Sequence, residues 1–409
     1  MSKLEKLIQQ FCPDGVEYVP LSSIGTIKRG NGLQKKDFVK SGIGCIHYGQ
    51  IYTKFGLFTD KTLTYVDKEL ADHLLHIEKG DLVIACTSEN IEDVCKAVAW
   101  LGDNSIVTGG HSCVLHHNQN PKYIAYFFQT ESFQRQKRKY AYGTKVIDIK
   151  PDSIGKIEIP VPPLPVQEEI VRVLDAFTEL QAELQAELQA ELQKRKQQYN
   201  YYLDNLLNFK DINRGGQEIK WMKLKEIGKV CMCKRILKEQ TASSGDVPFF
   251  KIGTFGGVAD AYIPQELFDS YKSKFSYPQK GDILISAAGT IGRTVEFDGK
   301  PAYFQDSNIV WLKHDESIVL NSYLKYCYTQ NPWAISTGGT IARLYNDNIL
   351  NATIPVPSIA EQQRIVAILD RFDTLTNDLT SGLPAEMEKR RQQYEFYRDK
   401  LLTFKRKEA

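Results

Sequence analysis

The 409-residue chain contains no apolar run of about eighteen residues, the length a membrane-spanning helix needs. Its opening stretch, MSKLEKLIQQFCPDGVEYVPLSSIGTIKRG, lacks the apolar core and small-residue cleavage site of a secretory signal. A cytoplasmic location with no membrane association is expected. The eight cysteines fall at irregular spacings, and only Cys231 and Cys233 are close, with no second pair to complete a zinc site. Reduced, structural thiols and no bound metal follow. There is no G-x-x-x-x-G-K-[ST] phosphate loop and no H-E-x-x-H metal helix, which leaves His73/His76 and His116/His117 to structural or surface roles.

Three partial motifs fail on inspection. "GTIGR" (Gly289 to Arg293) is too short for a phosphate loop, lacks Lys-Ser or Lys-Thr, and reads as a loop between strands. Asn331-Pro332-Trp333 misses the second proline of an amino-methyltransferase motif, with no Gly-rich cofactor loop before it, and reads as a helix start after a turn. Pro151-Asp152 with Glu158-Ile159-Pro160 imitates a nuclease carboxylate pair, but a proline stands where the catalytic lysine belongs. No catalytic residue is assigned, and an enzyme is the least favoured class.

Hydrophobic content of 42% and charged content of 25% are ordinary globular values, so disorder is not needed, and the length favours two or more domains. The net charge of +2 decides nothing about nucleic acid, because a basic face can be balanced elsewhere. Local clusters say more: Lys28, Arg29, Lys35, Lys36 and Lys40 around Asp37; Arg135, Lys137, Arg138, Lys139 and Lys145; and Lys223, Lys225, Lys229, Lys234, Arg235 and Lys238 around Glu226. Solvated surface and phosphate contact both account for such runs.

The chain is written twice. "IPVPPLPVQEEIVRVLDAF" (Ile159 to Phe177) matches "IPVPSIAEQQRIVAILDRF" (Ile354 to Phe372), and "KRKQQYNYYLDNLLNF" (Lys194 to Phe209) matches "KRRQQYEFYRDKLLTF" (Lys389 to Phe404), both at an offset of 195 residues. That period is far beyond the roughly 20–50 residues of solenoid repeats and means two similar halves. Weaker echoes join Gly80-Asp81 to Gly281-Asp282, Ile24-Gly25 to Ile227-Gly228, and Gly143-Thr144 to Gly339-Thr340.

Each half is a variable domain followed by a helical segment. After Pro162, Pro163 and Pro165, which keep the chain extended, a stripe of Ile170, Leu174, Phe177, Leu180, Leu184, Leu188, Leu192, Tyr199, Leu203 and Leu206 recurs at helical spacing. It predicts one nearly straight helix from Val166 to Phe209, about 65 Å long. Within it "ELQAELQAELQAELQ" (Glu179 to Gln193) uses good helix formers; a length-setting spacer and neutral slippage on a solvated helix both explain it. The second copy spends the same stretch on "DTLTNDLTSGLPAEME", where Ser381, Gly382 and Pro384 predict a break and a restart with Pro384 in the first turn. Packing the two helical segments antiparallel, about a pseudo-twofold axis, covers both stripes and suits their matched lengths better than the alternative of two independent bundle helices. The variable domains, with short β runs such as "DLVIAC", "HSCVLHH", "DILISAAG" and "SNIVWLKH", each end on one predicted helix, near Lys122 to Tyr140 and near Asn321 to Ser336.

Taken together, the duplicated "IPVP…Q..IV.(V/I)LD.F" and "QQYxxYxDxLLxF" segments, the tetrapeptide repeats, "GD(I/L)L(I/V)" and "GTIGR" resemble the specificity subunit of type I restriction-modification systems over essentially the whole chain. The resemblance implies an α+β protein with two tandem target-recognition domains joined by two long helices packed as an antiparallel coiled-coil-like spacer. The boundaries expected are an N-terminal segment, 1–20, packing near the second spacer helix; recognition domains at 21–158 and 213–353; and helical segments at 159–212 and 354–409. It implies a non-catalytic reader of a bipartite, asymmetric sequence in double-stranded DNA. Partners would be two methyltransferase (modification) subunits using S-adenosylmethionine, and restriction/translocase subunits using ATP and Mg; this chain itself would hold no cofactor. A two-module protein-interaction scaffold on a rigid helical rod is the alternative.

Base edges are read by side chains that donate or accept hydrogen bonds, whereas phosphates take nearly any donor. Candidates in exposed loops of the first domain are Lys28, Arg29, Asn31, Lys35, His47, Tyr48, Gln50, Ser88, Asn90, Tyr142, Thr144 and Lys145. Those of the second are Lys234, Arg235, Arg293, Gln305, Ser307, Asn308, Thr340 and Arg343. At each, a plain surface or core-satisfying role competes with DNA contact.

Overall fold

The computed structural model describes residues 2–209, 219–334, 343–377 and 381–407. The chain divides into two compact units, Met1–Leu188 with Glu386–Ala409, and Gln189–Ala385.

The first unit holds a five-stranded sheet in the order Gly25–Arg29, Ser112–His117, Leu82–Ala85, Ala97–Trp100, Phe58–Thr59. A four-stranded sheet runs Thr64–Val66, Ile43–Ile46, Ile106–Thr108, Leu75–Ile77. Leu82–Ala85 is buried at all four positions because it has a core on each face. Leu82 and Ile84 join the helical core with Tyr123, Phe127 and Ile170, while Val83 and Ala85 join Ile46, Ile77 and Trp100. Such a strand reads as a continuous apolar run rather than as an alternation.

The second unit repeats this frame. Its four-stranded sheet runs Lys229–Met232, Ile309–Lys313, Ile283–Ser286, Thr294–Glu296, with a three-stranded sheet Tyr262–Ile263, Val247–Phe250, Tyr303–Phe304 beside it. Ile283 and Ile285 face the helical core, and Leu284 faces an aromatic core with Phe249, Phe304 and Trp311. The loop between Ile283–Ser286 and Thr294–Glu296, which pair antiparallel, contains "GTIGR".

One helix runs unbroken from Leu164 to Leu207, 44 residues, two residues earlier than the predicted start. Pro165 lies in its first turn, where the missing N–H removes no helical bond. In the first unit this helix runs antiparallel to the helix Leu383–Leu401: Thr178 and Tyr394 share a hydroxyl hydrogen bond of 2.8 Å, and Leu174 shares a core with Leu402. In the second unit the same helix packs on Ile359–Asn377, with Tyr202 stacked 5.1 Å from Phe372. Leu203 and Leu206 there meet Ile365 and Leu369. The stripe is buried at both ends, yet Leu180 in the repeat is 62% exposed. The second helical segment is interrupted as expected, and Pro384 is the second residue of the restarted helix.

Both units fasten the variable domain to the following helix with the same polar contacts. Buried Gln167 accepts from the Asn120 N–H (3.0 Å) and donates to the Pro162 carbonyl (2.7 Å) and Gln119 Oε1 (2.8 Å). Buried Gln362 accepts from the Leu320 N–H (2.9 Å) and donates to the Pro357 and Ile318 carbonyls (2.9 Å each). Tyr123 donates to the Pro160 carbonyl and Tyr323 to the Pro355 carbonyl; Tyr126 donates to Asp175 and Tyr326 to Asp370.

Residues from both ends of the sequence complete the first unit. Val16 and Arg406 form a parallel bridge, Tyr18 donates its hydroxyl to the Phe404 carbonyl (3.0 Å), and Lys3 pairs with Glu169 at 2.7 Å.

Four local expectations are corrected. The helix expected near Lys122 to Tyr140 is two, Pro121–Phe127 and Glu131–Arg138, because the Thr130 side chain accepts from the Phe133 N–H and starts a new helix. Asn331 does not start a helix; it turns with φ of 48° after the helix Asn321–Thr329, and Trp333 packs back on Tyr328 at 5.3 Å. Cys113, in the strand Ser112–His117, and Cys86, just after the adjacent strand Leu82–Ala85, have a Cα separation of 6.3 Å and are joined as a disulfide, while the other six cysteines are free and buried. Lys137 is not a surface cation: it is fully buried and donates to the Glu92 and Val94 carbonyls (3.0 and 2.9 Å). Burial there pulls its ammonium down to about 8.

Replacing either clamp glutamine by a methionine of similar length strands buried donors and acceptors at about 1–3 kcal/mol each. Gln167→Met and Gln362→Met are each expected to lower the unfolding temperature of the full chain by several degrees in calorimetry, and an unchanged transition in either variant contradicts the clamp.

Candidate nucleic-acid interface

In the first unit the candidates gather where strands end. Arg29 closes the strand Gly25–Arg29 and is fully engaged: its two terminal nitrogens donate to Asp148 (3.0 and 2.6 Å) and its Nε to the Gly110 carbonyl (3.0 Å). The Asp148 carboxylate holds this guanidinium firmly charged. Tyr142 donates to the same carboxylate (3.2 Å) and bridges Asp148 through the backbone. That bridge closes a turn through Gly143, whose φ of 110° suits glycine. The turn presents Thr144 and Lys145 to solvent. Ser88 pairs with Ile147 in the adjoining ladder.

His47 and Gln50 are turned inward. His47 is buried, and its Nδ1 accepts from the Gly49 N–H (3.2 Å) at the start of the helix Tyr48–Thr53. Burial first, then nearby Lys35, pushes its proton affinity down. The Gln50 side chain accepts from the His47 N–H and donates to Thr64, so both residues brace the turn beneath Tyr48. The Asn90 amide donates to Asp93 (2.8 Å). Lys28, Asn31 and Lys35 are exposed.

In the second unit Arg235 pairs with Asp306 at 2.9 Å, and the Lys234 ammonium lies 5.3 Å from the Phe275 ring centre. Arg293 donates to the Gly256 carbonyl (3.3 Å), while its N–H is tied to Ser286 Oγ (2.9 Å). Gln305 accepts from the Ile252 N–H (3.0 Å). Arg343 donates to the Ser307 carbonyl (3.0 Å) and to Asn308 Oδ1 (3.3 Å). Ser307 has a φ of 53°, a left-handed turn that a serine adopts at some cost. Arg343 and Asn308 adjoin one strand end: Ala287 donates to the Asn308 carbonyl (2.7 Å) and Leu344 to the Ala287 carbonyl (2.9 Å). Thr340 lies outside the described residues.

Each unit thus offers one neighbourhood of donors around the end of its central strand, supported by short ion pairs that hold arginines in place. Such a surface fits an anionic, donor-accepting ligand. One member was missed from sequence. His111 is exposed, its Nδ1 lies 2.9 Å from Thr87 Oγ1, and its ring centre is 4.7 Å from that of Tyr48. Only its place after Gly109-Gly110 hinted at it.

Among the described residues no group of three His, Cys, Asp or Glu could hold a metal ion, and no helix is long and apolar enough to cross a membrane.

The model of the type I restriction modification DNA specificity domain matches this chain twice, at residues 13–194 and 217–389. A protein of Haemophilus influenzae named as a type I restriction enzyme specificity subunit is 58% identical over 255 residues, 61% of this chain and 65% of that one. The specificity subunit of an Escherichia coli type I restriction enzyme is 32% identical over 441 aligned positions, covering 100% of this chain and 98% of the other. In fold, a chain from a solved type I restriction-modification system superposes with a TM-score of 0.68 at 17% identity, covering 96% of this chain and 98% of its own. The crystal structure of the HsdS subunit from Thermoanaerobacter tengcongensis gives 0.55 at 17%, covering 96% of each. With a doubled frame, two donor-lined strand ends and a family domain matched once in each half, the chain belongs to the specificity (S) subunits of type I restriction-modification systems, the non-catalytic components that carry DNA specificity.

Proposed function

We propose that the chain reads a bipartite, asymmetric sequence in double-stranded DNA, one half-site per recognition domain (21–158 and 213–353). On its helical segments (159–212 and 354–409) it would recruit two modification subunits and, with them, the restriction/translocase subunits. The observation that carries this is the doubled frame with different side chains on it. The clamps and strand order recur, whereas the exposed donors at the strand ends differ, as two unlike half-sites require. The exposed Leu180 and Phe177, one helical turn apart on the long helix, support partner docking there.

Among the reading candidates, Arg343 and Lys145 are favoured, with Lys28, Asn31, Lys35, Thr144, Lys234 and Arg293 as phosphate or base contacts. Arg29 and Arg235, each paired with a carboxylate, act by holding the surface in shape. Arg343→Ala in the assembled complex is expected to cost about 1–3 kcal/mol and to relax preference at one position of one half-site; unchanged affinity and preference remove Arg343 from the interface. Binding of the complex should also weaken steeply with salt, by roughly one decade per decade of salt for each phosphate contact, and a flat log–log plot counts against DNA and in favour of a protein ligand.

The repeat lies within the uninterrupted helix, so one Leu-Gln-Ala-Glu unit adds about 6 Å and turns about 40° beyond a full turn. DNA advances about 3.4 Å and roughly 35° per base pair. Deleting Leu184 to Glu187 should therefore shift the preferred gap between unchanged half-sites by about one or two base pairs. Methylation-sensitive sequencing of DNA modified by the assembled variant reads this directly, and a target with the original gap overturns the spacer role.

A further inference from the structure

Resting on the DNA-reading function above, we propose that His111 in the first unit and Asn308 in the second are equivalent specificity-determining residues, each presenting one hydrogen-bond donor to an acceptor on a base edge. The backbone makes them equivalent. The Cys86 N–H donates to the His111 carbonyl at 2.8 Å, and the Ala287 N–H donates to the Asn308 carbonyl at 2.7 Å. Cys86 directly follows the central strand Leu82–Ala85, and Ala287 directly follows its counterpart Ile283–Ser286. Immediately after each residue the chain enters a strand buried over its first four positions, Ser112 to Leu115 and Ile309 to Leu312. Each side chain is therefore the last one outside the core, on backbone that the sheet holds still.

Each is also oriented by a neighbour. The Thr87 hydroxyl, itself buried, sits 2.9 Å from His111 Nδ1 and makes no other hydrogen bond among the described residues. Taking the hydroxyl as the donor to Nδ1 places the ring proton on Nε2, and the Tyr48 ring lies tilted against the imidazole. Arg343 occupies Asn308 Oδ1 at 3.3 Å, which leaves the amide nitrogen as the donor. Two different side chains thus offer the same chemistry from the same place. The acceptors that fit are purine N7, guanine O6 and thymine O4 in the major groove. A side chain locked before contact loses little freedom on binding, which favours it over the longer lysines nearby.

The test uses the full chain assembled with its modification subunits and a library of randomised DNA duplexes, selecting bound molecules and sequencing them. His111→Ala should erase the preference at one base pair of the first half-site, by about ten- to a hundred-fold, with the second half-site unchanged. Asn308→Ala should do the same in the second half-site only. Thr87→Val, which keeps His111 and removes its orienting hydroxyl, should blur the same base pair as His111→Ala. If the wild-type complex selects a bipartite target and His111→Ala selects it with every preference intact, this inference fails while the DNA-reading function stands. If the wild-type complex selects no sequence at all, the reading function fails and takes the inference with it.

Discussion

The position of each unit's donor-lined strand ends depends on how each variable domain is seated on its own helix, and that seating is polar and buried. Gln167 and Gln362 each make three hydrogen bonds with no exposed surface, and Tyr126 and Tyr326 each reach an aspartate one helix away. Apolar packing alone tolerates small slides, because dispersion contacts are individually weak and interchangeable. A hydrogen bond in a dry interior does not, since leaving either partner unmet costs more than making the bond gains. The clamps therefore convert a hydrophobic contact of approximate geometry into one of fixed geometry, which the proposed reading of base edges needs.

The long helix is held differently along its length. At its ends Ile170, Leu174, Leu203 and Leu206 are buried in the cores of the two units, so tertiary packing secures the helix there. Through the repeat only part of the stripe is covered, and intrinsic propensity carries more of the load: Ala, Leu, Glu and Gln are among the best helix formers, and Glu191 pairs with Arg195 one turn on at 2.6 Å. A segment stabilised by its own composition relies less on either core for its helicity. The corresponding stretch around Ser381, Gly382 and Pro384 lacks that self-sufficiency and breaks.

Much of this was legible beforehand because helical periodicity and repetition are carried by residue type alone. The duplicated segments, the unbroken helix and the interruption before Pro384 all follow from spacing and from glycine and proline. The clamps were not legible. Tyr123 and Tyr126 look like ordinary core aromatics, and they stand 200 positions from Tyr323 and Tyr326 while the glutamines they work beside stand 195 apart, so a single-offset comparison passes over them. Lys137 misled for the opposite reason: in a run with Arg135, Arg138 and Lys139 it reads as surface, whereas the helix turns it inward onto two carbonyls. The partners of the proposed DNA-contacting residues were not visible either: Arg29 is held by Asp148 and His47 by a helix start, and partnership across the fold is not written in local sequence.

The shifting offset between the halves is itself informative. From Cys86 to His111 the chain takes 25 steps, and from Ala287 to Asn308 it takes 21, yet the same carbonyl is met by the same N–H at nearly the same distance. The length difference is absorbed in the intervening loops and short strands. Loop closure costs change only slowly with length, so such insertions disturb the frame little. What remains constrained is the point of return, where a residue must leave the loop and enter a buried strand. That point is pinned to the residue after the central strand by a backbone hydrogen bond in both units, and the proposed reading residues His111 and Asn308 stand there.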